Sequence, residues 1–504
     1  MKKNFFWIIA IILFSIPTLV TLFHPGFFLS DDGEWMVIRF SAFHQALRDG
    51  QFPVRFLGRL NYGYGYPVSD FLYPGFMYLG EIFKLLGFGF VSTIKIILGL
   101  SMVGSAIFSY LWLSKVFGKW ASFIGSLLYL YAPYHLFDLY KRGSVGEILA
   151  LCFAPFVFWQ IERRSFFWTS LGVAFLILSH NSLSLLFLFL IILYLIIRGL
   201  ASAVYLLPSI VVGLGLSAFY WIPAIFDLQY TIFHKVQISE WGNYFASLNL
   251  VGALPILVLI WYLLGLRSGK NMVSKLMFFS GIFCLFLSFS ISSFVWKFLP
   301  VSFIQFPFRF LSVVFLQISF LAAFLLDKVK GNKSYLLGAI FFAICFISSF
   351  SLLTPQKTFD KGDSYYATNE GTTTVKDEYM PIWVKNNPIG HPQEKVAIIN
   401  GQVKDLKIKS NKISFVSNSI IPSRVLINTV YFPGWNAVID EKSSLIDYKN
   451  NGLIQIEVPR GEHNIIVSFG ETPIRLISDI VSFLSLFILL FCTICVRRKA
   501  LFNV

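Results

Sequence analysis

The sequence predicts a polytopic α-helical membrane protein with about twelve transmembrane helices and a C-terminal β-sandwich domain placed before the last helix. Three observations carry this. Of 504 residues, 56% are hydrophobic and only 13% charged, with a mean hydropathy of +0.70, more apolar surface than a water-soluble chain can hide. The apolar residues gather into runs joined by short basic connections. Between 354 and 475 the composition turns to Lys, Asn, Ser, Thr and Asp alternating with apolar residues, the period of a half-buried strand.

The first run, 5–23, has a basic flank and no small-residue cleavage site, so it is expected to stay as a signal-anchor with Lys2 and Lys3 in the cytoplasm. The others are expected near 92–114, 119–134, 147–161, 166–179, 182–197, 201–220, 248–265, 276–290, 308–326, 334–352 and 476–496. The stretch 71–90 carries Glu81 and Lys84, and counting it as a span would turn nearly every basic connection outward. The positive-inside bias makes it an interfacial helix within an outer loop, 24–91. Lys115, Lys119, Arg163, Arg164, Arg198, Arg267, Lys270, Lys328, Lys330, Lys333, Arg497, Arg498 and Lys499 then all fall inside, as does the C-terminus. The expected units are therefore 1–353, the extracytoplasmic β-rich 354–475, and 476–504 with a basic tail.

The net charge of +15 is spread through these connections, where membrane orientation explains it, and no nucleic-acid site is indicated. Cys152, Cys284, Cys345, Cys492 and Cys495 all lie in apolar runs as small hydrophobes, without metal-ligand spacing or a disulfide framework. There is no P-loop, dinucleotide fingerprint, nucleophile elbow or HExxH, which argues against an ATP-driven pump or a transferase using a cytosolic nucleotide-sugar.

The polar interval Ser30 to Gly75 is the densest in motifs. Asp31 with Glu34 has the spacing of a capping box for a helix running to about Arg48, which leaves Asp32 free to act as a general base or metal ligand. His44 shares that helix as a packing residue or a substrate contact, and Arg55 and Arg59 follow as outward cations. The second outer loop offers Asp138, Arg142 and Glu147; Glu147 stands where the next span begins, a place where ionisable groups usually face a cavity or partner. His180 and Asn181 join two spans, either capping helix ends or lining a site. Arg309, in QFPFR, either snorkels to headgroups or meets an anionic lipid. Trp435, in YFPGW, is a core residue or a sugar platform.

Taken together SDDGEW, GQFPVRFLGRLNYGYGYP, FLYPG, YKRGSVGE, LSHN, QFPFR and YFPGW resemble the GT-C class of integral-membrane glycosyltransferases. Within it they look most like the bacterial membrane proteins labelled "6-pyruvoyl-tetrahydropterin synthase-related" and the lipoteichoic-acid glycosyltransferases, nearly end to end; nothing suggests pterin chemistry. The resemblance implies a bacterial cytoplasmic membrane protein that inverts the anomeric centre of a polyprenyl-phosphate sugar donor and glycosylates an extracytoplasmic glycan or polymer. It puts the catalytic carboxylate at Asp32, with the adjacent Asp31 a departure that keeps the choice open. A second acidic position falls to Asp138 or Glu147. The outward cations Arg55, Arg59, Arg142 and Arg309 are expected to hold the donor phosphate. Metal dependence varies across the class, so a divalent cation, Mg or Mn, stays open. The rival expectation is a transporter or flippase of lipid-linked saccharides, which should show related halves and broken helices near mid-membrane.

Overall fold

The computed structural model describes residues 4–236, 241–265, 271–298, 304–372 and 377–502. Lys2, Lys3, Arg267 and Lys270 lie outside the described residues, as do the side chains of Cys495, Arg497, Arg498 and Lys499.

Each of the twelve apolar runs is helical, but the runs are not twelve full spans. Among the described residues, six helices are long and apolar enough to cross a membrane, and eight if each of two bent pairs is one span. Phe166–Ser179, Asn181–Ile197 and Leu254–Leu264 are apolar but shorter, and Lys119–Leu130 has 12 residues. At about 1.5 Å per residue such helices fall short of a hydrocarbon core about 30 Å thick, so length alone supports fewer spans than the expected twelve. The run 248–265 is split at Gly252, whose φ of 69° interrupts the helix before Leu254. Ala201–Leu216 and Ala218–Tyr230 meet at 65°, and Met272–Ser288 and Ser290–Trp296 at 86°. Both bends come after nearly a full run, which hydropathy alone does not reveal.

The stretch expected to lie along the interface contains Gly75–Leu85, an 11-residue helix. It buries Phe76, Met77 and Gly80 and exposes Ile82 and Leu85, the two-faced pattern of a surface helix.

The 354–475 unit holds two sheets, which justifies the sandwich expectation from alternation. β1 (Phe27–Phe28) pairs antiparallel with β2 (Thr358–Phe359), clasping the exit of the first helix to the start of this unit. The larger sheet has the order β4 (Gly401–Lys409), β5 (Lys412–Ser419), β10 (Gly461–Phe469), β7 (Trp435–Ile439), β8 (Lys442–Ser444). The smaller is β3 (Val396–Ile398), β6 (Ser423–Val430), β9 (Leu453–Val458). Inward residues of both, Phe415, Val425, Ile427, Ile456, Ile465 and Val467, share one core. Phe56 and Phe71 of the first loop enter that core, Phe56 meeting Trp435 edge-on at 5.4 Å. Trp435 is only 4% exposed, so the sugar-platform alternative for it is withdrawn.

Candidate functional site

The site is built where four chain segments meet at one end of the helix bundle. The helix Gly33–Arg48 starts there, with Asp32 at its N-cap position but no capping bond from the side chain. The expected capping box is therefore absent: the Asp32 carboxylate turns to Arg142, whose Nη2 donates to Oδ2 at 3.0 Å, and Glu34 accepts from Lys361 Nζ at 2.6 Å. Backbone pairing sets this direction, because Asp31 N–H donates to Lys141 O at 3.0 Å and Asp32 N–H to Arg142 O at 2.7 Å. The approach demands a glycine at Gly143: its φ is 63°, and a Cβ there would stand 2.4 Å from Ser30 Oγ and 2.9 Å from Gly33.

Glu147, in the first turn of Val145–Glu162, is fully buried. One carboxylate oxygen accepts from Arg142 Nη1 and from Arg309 Nε at 2.9 Å, and the other from the Tyr134 hydroxyl at 2.8 Å. His180 Nε2 is 3.6 Å away, while Nδ1 accepts the backbone N–H of Leu183 at 3.3 Å. His180 thus both caps a helix and faces the cluster. Asp138 is buried, with Oδ1 3.8 Å from Arg142 Nη1 and neither oxygen hydrogen-bonded among the described residues. Burial first, then the Glu147 charge, pushes its pKa well above the usual carboxylate range, which favours the acid form. Two guanidinium groups and two carboxylates, Asp32 and Glu147, then balance. A buried charge is tolerable only on these terms, paired and hydrogen-bonded.

Aromatic rings close one side. Phe306 and Phe308 stack at 5.2 Å, and the Arg142 guanidinium lies 5.1 and 5.3 Å from their centroids. Arg309 lies 4.7 Å from Phe306. Arg142 Nε and Arg309 Nη2 donate to no acceptor among the described residues, so each arginine keeps an unspent N–H. Beyond Phe308, Phe137 packs edge-on at 5.7 Å and borders a cavity of about 690 Å³ lined also by Leu248, Ile256, Ile347 and Leu352. This cavity adjoins the cluster without joining Asp32 to Glu147.

Asp32, Asp138, Arg142, Glu147, His180 and Arg309 thus come together; the remaining candidates do not. Asp31 is exposed, and its side chain makes no hydrogen bond or ion pair among the described residues. His44 pairs with Glu81 at 2.8 Å and packs on Phe90, the packing alternative. Arg55 is withdrawn from the phosphate set because Asp70 at 3.5 Å, Glu471 at 3.3 Å and Asp479 at 3.1 Å already neutralise it. Arg59 is withdrawn because its N–H groups are taken up: it donates to Ser41 Oγ at 2.5 Å, Tyr366 O at 3.2 Å and Ala367 O, fastening the segment after 354 to the first loop. Asn181 donates to Phe71 O at 3.2 Å and accepts from Tyr220, a tie between helices.

Sequence inspection missed Tyr134, Tyr73 and Glu378. Tyr73 is found through Gly146, where a Cβ would lie 2.0 Å from its ring, and it packs at a tilt on His180, the ring centroids 4.7 Å apart. No three His, Cys, Asp or Glu side chains converge on a metal position among the described residues. The Asp32 and Glu147 carboxylates face guanidinium groups, so the donor set does not fit a divalent cation.

No protein-family model and no curated protein matches the chain. Among solved structures, it is similar to the arabinofuranosyltransferase AftD from Mycobacteria, with 15% identity, a TM-score of 0.45, and coverage of 72% of this chain and 28% of that one. It is similar to the oligosaccharyltransferase of Archaeoglobus fulgidus, at 13% identity and TM-score 0.48, over 78% of this chain and 62% of that one. A third is ArnT from Cupriavidus metallidurans bound to undecaprenyl phosphate, at 16% identity and TM-score 0.42, over 71% and 68%. The chain spans 28% to 62% of the length of the first two proteins.

Proposed function

We propose that the protein is an inverting membrane glycosyltransferase that moves a sugar from a polyprenyl phosphate to an extracytoplasmic cell-envelope glycan or polymer. One observation supports this most: Asp32, its side chain 27% exposed, stands at the rim of an otherwise buried arginine–carboxylate cluster. Asp32 takes the proton of the acceptor hydroxyl as that oxygen attacks the anomeric carbon. The bond from that carbon to the phosphate oxygen breaks on the opposite face, and polyprenyl phosphate leaves with the electron pair. The unspent N–H groups of Arg142 and Arg309 meet the departing phosphate; they need no reorientation, because Glu147, Asp32 and the rings already hold both guanidinium groups. Glu147 is a positioning residue that fixes the two arginines. The adjoining cavity, apolar along Phe137, Leu248, Ile256, Ile347 and Leu352, is assigned to the isoprenoid chain.

Sidedness follows from the basic residues. Lys115, Lys119, Arg163, Arg198 and Lys328 sit at helix ends away from Asp32, so the positive-inside bias makes the Asp32 end extracytoplasmic and both termini cytoplasmic. A flippase would need its polar groups midway along the helices. Here every cluster member lies at a cap or in the first or last turn of a helical segment.

The test is Asp32→Asn in reconstituted vesicles supplied with undecaprenyl-phosphate hexoses and envelope acceptor. Loss of a general base predicts a fall of about 10²–10⁴-fold in transfer by folded, inserted protein. Undiminished transfer would remove Asp32 from the chemistry.

A further inference from the structure

His180 has a nitrogen that the mechanism above leaves idle. The residue ends Phe166–Ser179, caps Asn181–Ile197 and is 3% exposed. Its Nδ1 takes the backbone N–H of Leu183 at 3.3 Å, and a ring nitrogen that accepts carries no proton. The ring is therefore neutral, with its one proton on Nε2. Tyr73 packs at a tilt on it, the centroids 4.7 Å apart, so the cap and the neighbouring ring together fix where that N–H points.

Nε2 faces the arginine–carboxylate cluster. It lies 3.6 Å from Glu147 Oε1, too far for a hydrogen bond but within the same cage of side chains. That oxygen is already taken: Arg142 Nη1 and Arg309 Nε donate to it and fill both its lone pairs, while the Tyr134 hydroxyl serves Oε2. Nor does Nε2 donate to any other acceptor among the described residues. Arg309 is tied to the same turn, its Nη1 reaching Ser182 Oγ at 3.4 Å, two residues on from His180. A buried N–H without an acceptor is costly, and an oxygen-rich anion arriving at the two guanidinium groups would relieve it. The imidazole adds a donor without adding charge: the Leu183 cap keeps a third cation out of a cluster whose charges already balance.

We infer that His180, through its Nε2–H, is a third donor to the phosphate of the lipid-linked sugar, beside the unspent N–H groups of Arg142 and Arg309. This rests on the lipid-phosphate donor of the preceding subsection. The phosphodiester of the bound donor carries one negative charge and the phosphate that leaves carries two, the acceptor's proton having gone to Asp32. A fixed N–H therefore gains strength as the bond breaks, and His180 serves the leaving group more than the bound donor.

The two ring nitrogens can be replaced one at a time. The amide of His180→Asn falls near Nδ1 and keeps an acceptor for Leu183, whereas that of His180→Gln reaches toward Nε2 and keeps a donor. Full-length protein in nanodiscs is titrated with undecaprenyl phosphate, and with undecaprenol as the phosphate-free control, by native mass spectrometry alongside thermal unfolding. Wild type and His180→Gln are expected to hold undecaprenyl phosphate alike and to prefer it to undecaprenol, with His180→Gln melting lower for want of the cap. His180→Asn should melt as wild type does and bind the phosphate about tenfold more weakly, the worth of one hydrogen bond to an anion, with undecaprenol binding unchanged. Phosphate binding unchanged in His180→Asn, or weakened equally in both folded variants, overturns the third donor. A wild type that binds undecaprenyl phosphate no better than undecaprenol would instead overturn the lipid-phosphate assignment, and the third donor with it.

Discussion

Arg142→Gln is the perturbation that bears hardest on the cluster. Arg142 donates to Asp32 at 3.0 Å and to Glu147, and its plane lies against Phe306 and Phe308. Removing it strands charges unequally. Asp32, partly exposed, regains water at little cost, whereas Glu147 has no exposure and keeps only Arg309, Tyr134 and the more distant His180. Breaking a buried pair from one side costs about 3–5 kcal/mol, and the surviving Arg309 bond puts this case near the lower figure, about 3 kcal/mol. Glu147→Gln combined with Arg142→Gln removes both charges and should recover about 2 kcal/mol relative to the sum of the single changes, the signature of direct contact. The assay is thermal unfolding in detergent or nanodiscs with a thiol-reactive dye, because Cys152 and Cys345 are buried until the fold opens. A single-variant loss below about 1 kcal/mol, or additive double-variant losses, would refute the pairing on which the argument depends.

Other outcomes follow from the same geometry. Arg55→Gln, which strips the cation from Asp70, Glu471 and Asp479, should cost about 3–5 kcal/mol in unfolding assays yet leave transfer per folded molecule within about threefold. Trp435→Ala should empty the sandwich core at a cost of about 3–5 kcal/mol, read by denaturant titration, with sugar binding by the folded protein unaltered. Burial, chiefly, moves the Glu378 carboxyl from an ordinary 4.5 up to about 7. The folded protein therefore holds a proton there that the unfolded chain releases, and this contribution is full below pH 4.5 and lost as pH rises to about 7. Glu378→Gln should accordingly melt higher relative to wild type at pH 8 than at pH 4.5; a pH-independent difference would contradict the proton's place.

Helices were legible because apolar runs announce themselves, and strands such as Lys412–Ser419 because its first half, KISF, alternates as its burial does. Bends at Ser217 and Phe289 were not, since nothing in hydropathy separates two short helices at an angle from one straight one. Asp32, Arg142, Glu147 and Arg309 could be picked out one at a time as charges at the edges of apolar runs, and their meeting had to come from tertiary structure. Arg55 and Arg59 show the limit of that approach. Both are outward-loop arginines by sequence, but partners that occupy them, the carboxylates of Glu471 and Asp479 for one and the carbonyls of Tyr366 and Ala367 for the other, lie more than three hundred positions away. Glu378 was invisible for the converse reason: an acid in a polar stretch reads as solvated until the chain is folded over Arg39.

The small clasp between Phe27–Phe28 and Thr358–Phe359 has a consequence for biosynthesis. At about 5–20 residues per second its two strands leave the ribosome roughly 15–65 s apart, so the nascent bundle must wait with its first loop uncovered. A prematurely terminated product ending before the second strand would keep most of its helices and the Arg142–Glu147 pair, but not the cover over Arg39.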